Sequence, residues 1–351
     1  MKVLIINPGA VSTKIAVYDE RTELFRVNIE HDADELRRYS RVVEQTPFRE
    51  EVILRALRDA GYELRDFDAI CSRGGLLRHI PSGTYAINDR VLADIENPPY
   101  GEHASNLGAV IAKQLADQVG IPAYFVDPVS VDEMSELAHI SGFAGMQRES
   151  FFHALNQKST ARRLAAQLGR AYEELNLIVV HLGGGVSVAA HQKGAVIDDY
   201  NVKDDGSMGM DRSGALPVNA VINLCYSGKT KAEVKKLLGY DGGVYSYLGT
   251  KDFREVERRA FSGEDAEASL IFRAFAYQLA KDIGAMAAVL RYKVDAIVYT
   301  GGMAHSERFC NEISSYVGAV APVYRLPGEN EMQALAEGAL RVLHGEPAKE
   351  Y

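Results

Sequence analysis

The sequence predicts an α/β protein built from two similar halves. Three observations carry that reading: the length, a repeated strand–glycine-turn–strand segment, and an alternation of β-rich and helical patterns. The chain has 351 residues, and at about 150 residues per domain that length suggests two domains. In the first copy of the repeat, the apolar run Val3-Leu4-Ile5-Ile6 leads through Asn7 into a turn at Gly9 and a second β-rich run ending at Tyr18. In the second, Leu177-Ile178-Val179-Val180 leads through His181 into Gly183-Gly184-Gly185 and a β-rich run ending at Ala190. Asn7 and His181 thus hold the same place, almost half a chain apart. A duplicated domain opening on a β-hairpin accounts for the match. Chance does too, because apolar–glycine–apolar hairpins are common.

The remaining elements follow in order. Helical periodicity appears at residues 50–60, 105–119 and 157–168, and over a longer stretch at 266–292. In the last, Phe272, Phe275, Leu279, Ile283 and Met286 form one stripe, read as core packing. Short β-rich runs lie at 69–71 and 123–126. A third glycine turn, Thr300-Gly301-Gly302, follows the apolar run 295–299 and precedes a helical pattern at 307–317. A strand, a Gly-Gly turn and a helix start can cradle a phosphate, although packing alone also places glycine there. Pro327-Gly328 breaks the chain before a final helix at 331–343, which is expected to cross back onto the first domain. The expected domains are therefore 1–150 plus 329–351, and 151–328.

Composition narrows the class. The chain is 47% hydrophobic and 25% charged, values of an ordinary globular protein rather than a collagen-like, disulfide-rich or disordered one. No apolar run approaches the ~18–20 residues of a membrane span, and the start shows no signal-peptide pattern. With 39 basic and 48 acidic residues the net charge is −9, which argues against a broad electrostatic grip on nucleic acid. Cys71, Cys225 and Cys310 form no CxxC and no even set. They are read as buried thiols of a protein in a reducing cytoplasm.

Four side chains stand where α/β proteins handle small anions. Arg73 follows a strand and precedes Gly74-Gly75, and Arg212 sits in Asp211-Arg212-Ser213-Gly214. An arginine fork beside a glycine can grip carboxylate or phosphate; a solvated surface arginine is the plainer reading. Asp127 ends the run 123–126 ahead of Pro128, where carboxylates often face a ligand crevice and where a turn-capping Asp is equally at home. His181 ends its strand just before three glycines. There is no HExxH, GxSxG or GxxxxGK[ST], and no GxGxxG after the first strand, so zinc-hydrolase, serine-hydrolase, P-loop and dinucleotide readings lack support.

These segments together resemble a known family. Asn7-Pro8-Gly9 with Ser12-Thr13-Lys14 is similar to the NPGSTSTK opening of the acetate/butyrate kinases. Arg73-Gly74-Gly75-Leu76-Leu77 with Ile80-Pro81-Ser82-Gly83-Thr84-Tyr85 resembles RGGLL…IPGGTY. Val126-Asp127-Pro128-Val129 resembles VDPV, His181-Leu182-Gly183-Gly184-Gly185 resembles HLGGG, and Asp211-Arg212-Ser213-Gly214 resembles ERSG. Thr300-Gly301-Gly302 and Pro327-Gly328-Glu329-Asn330-Glu331 complete the series, which runs in order along nearly the whole chain and looks most like the butyrate kinases. The family lies in the actin–sugar kinase–Hsp70 superfamily. The resemblance implies two actin-like (ribonuclease H-like) domains from a duplicated βββαβαβα module with a cleft between them, the second carrying most nucleotide contacts. It implies reversible phosphoryl transfer between ATP and a short-chain carboxylate, forming acyl phosphate and ADP, with Mg²⁺. By the same resemblance, Arg73, Asp127, His181 and Arg212 are catalytic. Asn7, Ser12, Lys14, Gly183, Gly184, Gly185, Gly301 and Gly302 bind the nucleotide, and Asn7, Asp127 and Glu331 hold the metal. A homo-oligomer, dimer or higher, is also implied, with no membrane or nucleic-acid partner.

The chain departs from the family at several points. Ala10 and Val11 stand where the first loop carries hydroxyls. His153-Ala154-Leu155-Asn156-Gln157 replaces the acetate kinase HGTSH, so its second His is Gln157, and His305 stands in place of a Glu. The last two differences favour butyrate over acetate kinase. The stretch 204–210 is looser than the family's DGDGPFSP. Two other readings are a non-catalytic ATP-binding sensor and a sugar or polyol kinase on the same fold, for which Asp127 would serve as base.

Overall fold

The computed structural model describes residues 1–98, 100–203 and 205–351. Asp204, in the glycine-rich stretch before Arg212, lies outside the described residues. The chain divides into two compact units, Met1–Asp132 with Asn330–Tyr351, and Glu133–Glu329.

The first unit is built on a six-stranded sheet: β1 (Lys2–Pro8), β2 (Ser12–Asp19), β3 (Thr22–Glu30), β4 (Ala69–Arg73), β5 (Thr84–Ala86) and β6 (Ala123–Val126), in the order β3-β2-β1-β4-β6-β5. β1 carries the apolar run Val3-Leu4-Ile5-Ile6 and is buried from Val3 onward. That is the pattern of a central strand covered on both faces, and β1 pairs parallel with β4. β3 alternates exposed and half-buried residues, as an edge strand with one wet face does. The helix Glu331–Leu343 packs on β1, β4 and β6; its apolar stripe buries Met332, Leu335, Ala336 and Ala339.

The second unit repeats the arrangement with β7 (Asn176–Leu182), β8 (Val186–Gln192), β9 (Ala195–Tyr200), β10 (Ala296–Thr300) and β11 (Val323–Arg325). Their order, read from β9, is β9-β8-β7-β10-β11, which reproduces β3-β2-β1-β4-β6 of the first unit. In both sheets the first two pairings are antiparallel and the next two parallel; the first sheet adds β5, antiparallel to β6, at its edge. β1 and β7 each have seven residues, and Asn7 and His181 are the sixth. The repeat is thus a repeat of topology as well as of sequence pattern. The long helix Ala266–Val289 buries Phe272, Phe275, Leu279, Ile283 and Met286. It stops short of the expected residue 292 because Arg291 and Tyr292 take positive φ, 53° and 57°.

Three expectations differ from the structure. The units divide at 132/133, not near 150, because the intervening segment is tied to β9: Ser135 N–H donates to the Ile197 carbonyl at 3.0 Å, Arg148 pairs with Asp198 at 2.8 Å, and Ser150 donates to Asp199 at 2.6 Å. Cys71 and Cys310 are buried, but Cys225 is exposed, on the helix Val218–Cys225. That helix and its successors Lys231–Gly239, Gly243–Leu248 and Phe253–Ala260 fill a region the periodicity left unassigned. They are too short for a firm 3.6-residue signal, and Val218–Cys225 buries no face at all.

Candidate active site

In the first unit the chemistry-bearing residues gather at the ends of β1, β4 and β6. Arg73 closes β4, and its guanidinium lies 2.9 Å from Glu331 Oε1. Asn7 Nδ2 donates to the other oxygen, Glu331 Oε2, at 2.8 Å. Glu331 opens the C-terminal helix, so the crossing of that helix brings a carboxylate from the end of the chain to two residues from its beginning. Asp127 follows β6 and is buried. Its Oδ1 accepts the Gly83 N–H at 2.7 Å, and its own N–H donates to the Gly83 carbonyl at 3.1 Å. Its φ is +38°, a conformation that costs a non-glycine residue of order 1–3 kcal/mol and concentrates at functional sites.

The first hairpin turn is held from behind. Lys14 is directly opposite Asn7 in the ladder and exposed, and Ser12 lies two residues before it, so Asn7, Ser12 and Lys14 share one face of the hairpin. Thr13 faces the other way, where its hydroxyl meets His31 Nε2 at 2.8 Å and the Arg49 guanidinium at 3.0 Å. Burial, with the Arg49 charge nearby, pulls His31 down to about 4, so its ring is neutral at pH 7. Neither His31 nor Arg49 was legible as part of this turn.

In the second unit His181 is the centre of a polar cluster. It is 2% exposed. Nδ1 donates to Asn156 Oδ1 at 2.9 Å, which orients the ring. Nε2 lies 3.2 Å from Glu329 Oε1. The ring stacks on His153, with centroids 3.7 Å apart and planes at 10°. His153 Nδ1 meets Ser187 Oγ at 2.8 Å, and Gln157 donates to that hydroxyl at 2.8 Å. Gln157 Oε1 then accepts from His191 Nε2 at 3.0 Å, and His191 Nδ1 accepts the Tyr172 hydroxyl at 2.6 Å. Burial beside Lys158 and Arg162 holds His191 well below its ordinary value, in keeping with a neutral ring that donates once and accepts once. Gln157, which replaces the second His of HGTSH, is the link in this chain.

The glycines differ in what requires them. A Cβ on Gly183 would lie 2.6 Å from His181 Nε2, and one on Gly185 would lie 3.2 Å from Arg212 Nη1 and 3.3 Å from His153 Nε2. The glycine turn therefore lets Arg212 and both histidines close on its backbone. Gly301 has φ +86°, and a Cβ there would sit 2.4 Å from the Leu182 carbonyl oxygen. At Gly184 and Gly302 a Cβ would meet nothing within 4 Å. Accordingly, Gly301→Ala is expected to lower stability by about 2–3 kcal/mol, while Gly302→Ala leaves it within about 0.5 kcal/mol; paired urea unfolding curves check both. Arg212 is half-buried, donates to the Val202 carbonyl at 3.2 Å and lies 3.9 Å from Asp211.

Two sheets with the same antiparallel-then-parallel order, each opening on a hairpin whose first strand ends in a polar residue, define an actin-like protein. The acetokinase family model matches residues 144–321. Butyrate kinase 1 of Clostridium acetobutylicum is 49% identical over 353 aligned positions, covering all of this chain and 99% of that one. The chain belongs to the acetokinase family. Among solved structures, the acetate kinase of Porphyromonas gingivalis aligns with a TM-score of 0.80 at 20% identity, over 97% of this chain and 99% of that one. A propionate kinase from Francisella tularensis aligns with 0.75 at 18%, with the same coverage. At those identities the two structures speak for the fold.

Proposed function

We propose that this chain is a butyrate kinase: it transfers the γ-phosphoryl group of ATP reversibly to the carboxylate of butyrate or a branched-chain relative. The observation that carries the reading is the full-length 49% identity to a butyrate kinase. A substrate carboxylate oxygen forms the new P–O bond while the bond to the ADP oxygen breaks, and no proton has to be removed from the nucleophile. The work left to the protein is positioning and charge neutralisation. Arg73 holds the carboxylate, Arg212 takes the equatorial oxygens of the phosphoryl group, and His181, in the form that carries a proton on each ring nitrogen, donates to them through Nε2. Asn7, Ser12 and Lys14 line the first phosphate loop. Gly183, Gly184 and Gly185, with Gly301 and Gly302, bring backbone to the nucleotide, most of whose contacts fall to the second unit.

Mg²⁺ would screen the charge passing between the phosphates. No group of three or more His, Cys, Asp or Glu side chains suited to a metal occurs among the described residues. That fits an ion usually held by one or two carboxylates, water and substrate phosphates. The buried Asp127 carboxylate suits such an ion. Glu331 and Asn7 are spent on each other and on Arg73, so for them to hold the metal Glu331 would have to give up those donors.

We further propose a homo-oligomer and a cytoplasmic location. The oligomer is supported by the helix Val218–Cys225, where Val218 is 72% and Ile222 48% exposed; Ile222→Lys is expected to lower the assembly state seen by light scattering, and an unchanged mass contradicts the assignment. No helix among the described residues is long and apolar enough to cross a membrane, and the three cysteines are free thiols. Each methylene of an acyl chain contributes only about 0.8 kcal/mol, about four-fold. A kcat/KM series over C2 to C5 acids, with glycerol and a hexose alongside, tests the substrate class: a maximum at C4 or a branched C4–C5 acid is expected, and turnover of the polyol or sugar alone overturns the reading.

A further inference from the structure

Arg49 lies on the helix Thr46–Asp59 and is fully buried. Its guanidinium donates to the carbonyls of Gly9 and Ser12 at 3.0 Å and of Ala10 at 3.2 Å. It also donates to Thr13 Oγ1 at 3.0 Å and to Gln45 Oε1 at 2.9 and 3.1 Å. Every one of these acceptors is neutral. A buried charge is costly unless paired, and burial without a carboxylate pulls Arg49 down to about 10, so at neutral pH it still carries its charge.

The geometry shows what that charge faces. The Val11 carbonyl accepts the His31 N–H at 2.9 Å, so all four carbonyls of the turn from Gly9 to Ser12 are held on the inner side. In a trans peptide the C=O and N–H point opposite ways. With the Gly9 and Ala10 carbonyls on the guanidinium, the N–H groups of Ala10 and Val11 point away from it, toward the exposed tip of the turn. Successive N–H groups turned outward make an anion nest, and hydrogen bonds to a cation strengthen the polarisation of those peptide units. The turn is thus shaped through its backbone, which accounts for the lack of hydroxyls at Ala10 and Val11.

We propose that Arg49 is a positioning residue for phosphoryl transfer: it fixes the first loop with the Ala10 and Val11 N–H groups aimed at phosphate, and supplies positive charge behind them. This rests on the reading of that loop as a phosphate cradle. The test compares wild type with Arg49→Gln and Arg49→Lys, using ATP and butyrate turnover, calorimetric binding of ATP and of adenosine, and thermal melts for folded fraction. Arg49→Gln is expected to lower kcat about 30-fold or more and to weaken ATP but not adenosine, with the butyrate KM within about two-fold; Arg49→Lys, which keeps the charge but not the fork, recovers part of the loss. Activity that falls only with folded fraction, or equal loss of ATP and adenosine affinity, overturns the proposal. If Arg49→Gln does not fold, Arg49→Lys decides: ATP weakened relative to adenosine supports it, and wild-type ATP affinity and kcat contradict it. Wild-type protein that binds ATP but makes no acyl phosphate defeats the kinase reading, while the ATP-against-adenosine comparison still judges Arg49.

Discussion

Arg212→Ala is expected to lower kcat/KM for ATP and butyrate by about 30- to 1000-fold, a loss of about 2–4 kcal/mol in the transition state, while the melting temperature stays close to wild type. The two halves of that expectation have separate causes. Arg212 makes one hydrogen bond to a neutral carbonyl and sits 3.9 Å from Asp211, with 37% of its side chain exposed. Half-exposed contacts of that kind contribute about 1 kcal/mol or less to folding. Its Nη1 lies beside the glycine turn, 3.2 Å from where a Cβ on Gly185 would stand, and the proposed reaction places the phosphoryl charge there. Arg212→Lys is expected to recover only part of the activity, because an ammonium cannot span two oxygens. A fall in melting temperature that accounts for the lost activity would show that Arg212 serves the fold. Arg73→Ala carries the same kinetic expectation, with the difference that it also strips Glu331 of one of its two partners.

His181→Ala is expected to cost about 100- to 1000-fold in kcat, the range for removing one preorganised donor to a developing oxyanion, with a smaller change in KM. Here stability falls as well. The ring is buried, and its loss leaves Asn156 Oδ1 and the face of His153 without their partner, which costs about 1–3 kcal/mol. Kinetics normalised to the folded fraction separate the two effects. Asn156→Ala supplies the cross-check, because it leaves the ring in place but frees its tilt. An intermediate loss in kcat is expected there. Wild-type turnover in folded His181→Ala would remove this residue from the reaction.

The sequence made the frame legible because the frame is written in short-range pattern. β1 and β7 carry runs of Val, Leu and Ile long enough to name a central strand, and the glycines after them mark the turns. The helix Glu331–Leu343 begins and ends where its apolar period does. The partners of the candidate residues were harder to see, because they are set by pairings distant in sequence. Glu331 reaches Asn7 and Arg73 only through the crossing of the last helix. Asn156 and His153 reach His181 because the helix Ala154–Gln167 lies along β7. Arg49 was hidden for a different reason: an arginine in a helix reads as a wetted face. Its position was nonetheless informative, since Thr46, Arg49, Ile53 and Leu57 are spaced three or four apart and share the buried stripe. A charge in phase with an apolar stripe is a signal that a buried acceptor set waits for it. The domain boundary was displaced because residues 133–150 carry no strong period and are placed by side-chain bonds to β9.

The reaction expected of this chain yields a mixed anhydride of phosphate and a short-chain acid. Trapping with hydroxylamine tests it most directly: enzyme at high concentration, ATP, Mg²⁺ and butyrate, with the acyl hydroxamate and ADP measured together. One hydroxamate per ADP, dependent on butyrate and lost in Arg212→Ala, is the predicted result. ADP without hydroxamate, or neither product from folded protein that binds ATP, would contradict it.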